Sequence, residues 1–378
     1  MVEWKKLISV SDVLYGYPFE SSLFTEDSDS IPLIRIRDVK PAKASTYYSG
    51  QILDDYRIRR GDILVGMDGE FNLGKWNDRD GLLNQRVLKL KGKDGICLDG
   101  FLFHYMGPVF KKIEKETAGG SVKHLSAKAI NQIIVPVPPI NIQEQIVDKL
   151  DTFTSSIDNL KQQIAQRRKQ YEYYRCRLFS TEKWTEKKIG DLTKVFSCPR
   201  VFKDQWQDSG VPFWRSSDIM SYHNGVINPR GEVFISQSLY DELSSKSDKI
   251  KEGDILVTGG GSIGIPYLKM DNSPLFVKDA DLISIQKCYS IIPKFLYHYF
   301  LSTDFKLYLK KITHDATIAH YTINQIKDTP IPLPPLSEQQ RIVSILDKFE
   351  ASIQNLEAQL SQREKQYEYY RNKLLTFE

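Results

Sequence analysis

Residues 138–175 read PPINIQEQIVDKLDTFTSSIDNLKQQIAQRRKQYEYYR, and residues 334–371 read PPLSEQQRIVSILDKFEASIQNLEAQLSQREKQYEYYR. At a constant offset of 196 residues, without a gap, 22 of these 38 positions are identical. A repeat of this strength marks a duplicated chain and is read before anything else. Each copy opens on a proline pair, Pro138-Pro139 or Pro334-Pro335. A capping residue follows, Asn141 or Ser337, and three residues later comes Glu144 or Gln340, the spacing of a capping box. Neither 140–180 nor 336–378 contains glycine or proline, so nothing breaks either helix.

The apolar positions recur in a 4-3 pattern. In the first copy they are Ile146, Leu150, Phe153, Ile157, Leu160 and Ile164; in the second, Ile342, Leu346, Phe349, Ile353, Leu356 and Leu360. Arg167 and Arg363 interrupt the seam at the same place, and Tyr171, Tyr174, Leu178 and Tyr367, Tyr370, Leu374 resume it. A seam sustained over more than four heptads is that of a coiled coil. Forty residues at about 1.5 Å each make a rod of roughly 60 Å, longer than a domain of this size is wide. A helix with such a seam needs a partner in water, and the other copy is the obvious one. Two similar halves about a pseudo-twofold axis lay equivalent helices antiparallel, with a globular domain at each end. The polar arginines on the seam are candidates for fixing its register.

The duplication extends into the flanking sequence. IPLIRIRDV (Ile31 to Val39) matches VPFWRSSDI (Val211 to Ile219) at an offset of 180, and IRRGDILVGMDG (Ile58 to Gly69) matches IKEGDILVTGGG (Ile250 to Gly261) at 192. His124 aligns with His320 at the full 196. The chain is therefore domain (1–139), helix (140–180), domain (181–335), helix (336–378), and the fold class is mixed α/β. IPLIRIRDV, GDILVG and RVLKLKG read as strands in the first domain, and VFISQ, GDILVTG and DLISIQ in the second. The aromatic segments FLFHYM and KFLYHYFLSTDFKLYLKKI read as helices whose rings fill a core.

Composition bounds the function classes. The 378 residues are 41% apolar and 26% charged, with a net charge of +4, so charge by itself neither favours nor excludes a nucleic-acid partner. No apolar run reaches membrane-spanning length, and MVEWKKLISVSDV lacks the hydrophobic core of a signal peptide. Cys97, Cys176, Cys198 and Cys288 are scattered, as reduced thiols of a cytoplasmic chain would be, and neither they nor the six histidines show metal-ligand spacing. Gly259-Gly260-Gly261-Ser262-Ile263-Gly264 fits both G-x-G-x-x-G and, over its last five residues, G-x-S-x-G. Both signatures need a helix next, and Ile265-Pro266-Tyr267-Leu268 reads instead as a turn into a strand. Gly69 to Trp76 nearly spells a phosphate-binding loop, with Trp76 where a magnesium-holding Ser or Thr belongs. The chain reads as a binding scaffold rather than an enzyme.

Over essentially its whole length the chain resembles the specificity subunits of type I restriction-modification systems. PVPPINIQEQIVDKLD and PLPPLSEQQRIVSILD, each ending a globular domain and starting a long helix, carry the resemblance, with the doubled GDILV and the tryptophan near each domain start (Trp4 and Trp184) in support. The resemblance implies two target-recognition domains, each reading one half of a bipartite double-stranded DNA site. It implies conserved spacer helices that set half-site separation and dock two modification (M) subunits. Those would carry S-adenosylmethionine and methylate adenine N6; restriction (R) subunits would supply ATP- and magnesium-dependent cleavage; this chain would hold no cofactor or metal. Base edges call for Arg, Lys, Asn, Gln or Ser, and phosphates for Lys, Arg and amides. The candidates are Arg35 and Arg37 on one strand face, Asn72 and Lys75 in the glycine loop, and Ser121, Lys123 and His124 in AGGSVKHL. In the second domain they are Arg215, Ser216, Ser262, Lys269, Thr317 and His320. Two other classes stay open: a two-domain scaffold that ignores DNA, and an enzyme built on the 259–264 loop.

Overall fold

The structure is a computed structural model that describes residues 2–117, 123–180, 184–226, 231–313 and 320–377. The chain divides into two compact units, Met1–Lys161 with Ala358–Glu378, and Gln162–Glu357. The two long helices run Ile140–Phe179 and Leu336–Leu375, 40 residues each, so each contributes to both units.

In the first unit a four-stranded antiparallel sheet has the order Ser11–Tyr15, Val87–Gly92, Ile63–Gly66, Leu73–Lys75. A five-stranded sheet of short strands lies beside it in the chain's topology, with Ile31–Ile34 parallel to Gly81–Leu83 at its centre. Glu3–Lys6 pairs with Ile134–Val137 just before the long helix. The second unit repeats the plan: Val195–Phe196, Leu282–Ile285, Ile255–Thr258 and Pro266–Leu268 form the four-stranded sheet, Val211–Trp214 runs parallel to Phe276–Val277, and Glu186–Lys188 pairs with Pro330–Pro332. The doubled GDILV has a local cause. Gly61 and Gly253 hold left-handed backbone (φ 98° and 87°), and the aspartate that follows accepts from the amide three residues back, Asp62 from Arg59 at 2.8 Å and Asp254 from Lys251 at 2.8 Å.

The core of the first unit joins Ile63, Val65, Leu88 and Leu90 of the sheet to Phe101, Leu102, Met106 and Phe110 of the helix Asp99–Glu116, and to Ile146 and Leu150 of the first long helix. Tyr367, Tyr370 and Leu374 of the second long helix pack against that core. The second unit mirrors this with Ile255, Val257, Ile283 and Ile285, the helix Pro293–Phe300, Tyr171 and Phe179 of the first long helix, and Ile342 and Leu346 of the second. The seam thus anchors each domain as well as pairing the helices. Ile157, Leu160 and Ile164 are buried, while Phe153, Phe349, Ile353, Leu356 and Leu360 are half-buried.

Pairing is antiparallel within each unit. In the first, Phe153 stacks on Tyr370 (5.2 Å, 21°) and Lys161 faces Glu364 at 3.7 Å. In the second, Tyr174 stacks on Phe349 (5.3 Å, 28°) and Arg168 meets Glu357 at 2.5 Å. The seam arginines are accommodated by the same rings: Arg363 lies 5.7 Å over Phe153 and Arg167 5.8 Å over Phe349, and each bonds a glutamine three residues on, Gln366 and Gln170. The fold class read from the repeat, two mixed α/β domains alternating with two antiparallel long helices, is the one observed.

Three local expectations are corrected. The strand through Arg35 and Arg37 stops at Ile34, and Ile36–Val39 is one helical turn, because the Asp38 carboxylate accepts from the Arg35 amide at 2.9 Å. Asp218 does the same for Arg215 at 2.7 Å and opens the helix Ser216–Asn224. The aromatic helix of the second domain is two, Pro293–Phe300 and Thr303–Ile312, since Ser302 caps the latter by accepting from Phe305 N at 3.2 Å. The long helices start at Ile140 and Leu336, which puts Asn141 and Ser337 inside the first turn rather than at the cap. Their starts are held instead by buried Gln143 and Gln339. Gln143 accepts from Leu98 N (2.9 Å) and donates to Ile96 O (2.9 Å) and Pro138 O (2.8 Å); Gln339 accepts from Ile292 N (2.8 Å) and donates to Ser290 O and Pro334 O (both 3.0 Å).

Candidate nucleic-acid interface

The ends of the two parallel strands in the first unit open onto a cleft of about 550 Å³. Arg35, Arg37 and Lys40 line it from the one-turn helix, Asn72 and Glu70 from the loop after Gly66, and Asn84, Gln85 and Arg86 from the turn between Gly81–Leu83 and Val87–Gly92. Four cations face one carboxylate, the electrostatics of a polyanion site. Arg37 is braced by Ser45 Oγ (Nε, 2.9 Å) and Thr46 Oγ1 (Nη2, 2.6 Å), and Arg35 lies 5.7 Å over the Phe24 ring. Beside the cleft, Asp68 accepts from Arg86 Nη1 at 2.5 Å and bonds His124 Nδ1 at 2.6 Å.

Of the sequence candidates, Arg35, Arg37 and Asn72 therefore come together, and His124 stands next to them through Asp68. Lys75 does not. It lies on the strand Leu73–Lys75 and lines a separate cleft of about 470 Å³ with Asp151, Asp158, Glu364 and Tyr367 on the long helices. Lys123 pairs with Glu114 at 3.4 Å. Ser121 and Thr317 lie outside the described residues.

In the second unit, Arg215 is 8% exposed and committed to Asp218 (2.9 Å) and Gly231 O (2.7 Å), and Lys269 is 3% exposed, bonded to Asp271 and to Ser273 Oγ. The hydrogen bond from Lys269 holds the Asp271 carboxyl down at about 2. Both cations serve the fold rather than an outer surface, which corrects the expectation for each. Ser216 Oγ donates to Asp281 O at 2.9 Å, while Ser262 and His320 are exposed. Ser262 sits in a hairpin between Ile255–Thr258 and Pro266–Leu268, with Gly261 and Gly264 at φ 74° and 77°, so the loop has neither the dinucleotide turn nor the nucleophile elbow.

Sequence reasoning missed Lys40, Asn84, Gln85 and Arg86. The acidic residue three positions after Arg35 signalled the helical turn that presents Lys40; nothing local announced the 84–86 turn. It also missed a polar node present in both units. In the first, His104 Nε2 bonds Asp151 at 2.7 Å and Nδ1 bonds the Tyr367 hydroxyl at 2.9 Å. In the second, His298 Nε2 bonds Asp347 at 3.2 Å and Nδ1 the Tyr171 hydroxyl at 3.3 Å. Burial pushes both imidazoles below the ordinary histidine value despite these carboxylates. Tyr171 and Tyr367 are thus tied to the globular domains as well as packed on the seam.

The family model described as "Type I restriction modification DNA specificity domain" matches residues 1–167 and 181–364. The chain belongs to that family. It is 30% identical over 387 residues to the type I restriction enzyme EcoBI specificity subunit of Escherichia coli, covering 93% of this chain and 80% of that one. It is 30% identical over 400 residues to a putative type I restriction enzyme specificity subunit of Haemophilus influenzae, covering 100% and 96%. The fold is that of the specificity subunit of a type I restriction-modification system from M. genitalium (TM-score 0.61, 16% identity, 100% and 97% covered), and of a chain from a study of type I R-M complex assembly and conformational transition (TM-score 0.57, 16%, 99% and 96%). As a member of the specificity-domain family, this chain serves DNA sequence recognition in a type I restriction-modification system. Among the described residues no helix is long and apolar enough to cross a membrane.

Proposed function

We propose that residues 1–139 and 181–335 are target-recognition domains, each reading one half of a bipartite, asymmetric site in duplex DNA. The spacer helices, 140–180 and 336–378, set the separation of the half-sites and dock two modification subunits. One observation carries this reading: the same strand-end scaffold occurs in both units but bears different side chains. At matched positions Arg37 becomes Ser217 and Lys40 becomes Met220, and the turn Asn84-Gln85-Arg86 becomes the longer Lys278-Asp279-Ala280-Asp281. A shared frame with unlike surfaces suits two unlike half-sites. Tyr173 and Tyr369, matched on the two helices and 59% and 60% exposed, supply aromatic surface of the kind protein interfaces favour.

On this reading the part of the chain is specificity rather than catalysis. S-adenosylmethionine belongs to the modification subunits and transfers its methyl to adenine N6; ATP and magnesium belong to restriction subunits; the assembly is cytoplasmic. The test is co-expression with the adjacent modification gene and single-molecule sequencing for N6-methyladenine. A two-part motif, modified on both strands and lost when this chain is deleted, is the expected result. An active modification subunit whose methylation pattern is the same with and without this chain overturns the reading.

A further inference from the structure

Three non-glycine residues among those described have left-handed backbone: Ala42, Arg86 and Ala280. Arg86 (φ 70°) ends the turn after Gly81–Leu83 and directly precedes the strand Val87–Gly92. Ala280 (φ 57°) lies in the corresponding turn after Phe276–Val277, which is one residue longer, so that Asp281 holds the place of Arg86, its carbonyl accepting from Gly259 N (2.7 Å) as the Arg86 carbonyl accepts from Met67 N. A side chain there strains the backbone in a way glycine would not. Both turns contain a left-handed residue, but only the first sets a guanidinium before the following strand, where the second has the carboxylate of Asp281. The arming is supported. Asp68, 19% exposed, takes Arg86 Nη1 with one carboxylate oxygen and His124 Nδ1 with the other. The loop is fixed by Met67 N donating to Arg86 O at 2.8 Å and Leu125 N to Met67 O at 2.7 Å. Where the first domain has Asp68, the second has Gly260, so the carboxylate and the arginine are absent together.

An arginine that only neutralises phosphate gains little from a carboxylate that cancels its charge. An arginine that reads a base gains orientation from one, because the planar fork must meet two acceptors at once. Guanine, with O6 and N7 side by side in the major groove, is the base edge that matches that fork. Arg86 is more than half exposed and lines the basic cleft with Arg35 and Arg37. Resting on the half-site reading above, we propose that Arg86, positioned by Asp68, is a specificity-determining residue of the first domain that reads a guanine, and that the second domain reads no guanine from its matching turn.

The experiment uses the full chain assembled with its modification subunits and compares methylated motifs in vivo. Arg86→Gly is the main variant, since glycine relieves the left-handed strain and the fold is kept. The expected result is one G·C position in one half-site relaxed about tenfold or more, with every other position and the other half-site unchanged. Arg86→Lys should relax the same position, and Asp68→Asn should do so more weakly. A motif identical to the parent's in Arg86→Gly overturns the inference while leaving the half-site reading intact. So does uniformly weaker methylation with unchanged base preference, which makes Arg86 a phosphate contact. A parent motif with no guanine in the affected half overturns it as well, whereas a parent without any chain-dependent motif overturns both readings.

Discussion

Gln143 shows how a single side chain can secure the start of a long helix. Its buried amide satisfies three backbone groups: the Leu98 amide and the Ile96 and Pro138 carbonyls. A buried group left without a partner costs about 1–3 kcal/mol. Gln143→Leu should therefore lower the melting temperature of the first unit by roughly 5–10 °C, and Gln339→Leu should do the same to the second; a melting curve within 1–2 °C of the parent's would refute the role. The two buried histidines make a second prediction. Burial holds His104 and His298 below the ordinary value of 6.5. The groups facing them, Asp151, Lys75 and Arg371 for His104 and Glu350, Asp347 and Lys294 for His298, leave the net direction downward. The unfolded chain then takes up protons that the folded chain refuses. Stability is fully present above about pH 6.5 and falls as pH drops from there toward the folded values, by roughly 1.4 kcal/mol per pH unit for each histidine. Calorimetry between pH 7 and 5 should show that slope, flattened in the His104→Asn, His298→Asn double variant. An equal slope in both proteins would sink the idea. At this scale the site was only partly legible in sequence. Arg35, Arg37 and Asn72 converge, but Arg215 and Lys269 look no different in sequence and are buried, because the carboxylates that claim them, Asp218 and Asp271, are visible as partners only once the backbone is folded.

At the scale of elements, the long helices were legible because their signal is long and periodic, and the short ones were not. The alternation Ile34-Arg35-Ile36-Arg37 has the period of a strand, yet one carboxylate, Asp38, ends the strand at Ile34 by bonding the Arg35 amide. Local side-chain capping outweighs a two-residue pattern. The seam arginines carry a prediction of their own. Arg167 and Arg363 each lie over a phenylalanine of the opposing helix, inside the second and the first unit respectively. A cation over an aromatic face contributes about 0.5–1 kcal/mol when partly exposed. Replacing both with leucine costs little stability but removes the polar feature that tells one seam register from the next. Methylome sequencing of the Arg167→Leu, Arg363→Leu variant should find the two half-motifs at mixed separations. A single, unchanged separation would count against a register role.

For the molecule as a whole, duplication explains why one part of the sequence stayed readable and another did not. The Gln143/Gln339 anchors and the His–Asp–Tyr nodes recur residue for residue, and the helices at 22 of 38 positions, because each does the same job twice. The strand-end surfaces carry different side chains over a shared backbone, and an offset that grows from 180 to 196 hides the correspondence. The charge difference between the two surfaces can be measured. The cleft of the first domain gathers Arg35, Arg37 and Lys40, where the second domain has a buried Arg215, Ser217 and Met220. Each phosphate neutralised contributes about 0.9 to the slope of log K against log salt. The Arg35→Ala, Arg37→Ala, Lys40→Ala variant, assembled with its modification subunits, should bind its duplex with a slope shallower by roughly 1–3. The loss should persist when the half-site of the second domain is scrambled and vanish when that of the first is scrambled, since the contacts belong to one domain. A slope unchanged on the intact target would place DNA on another surface of the first domain.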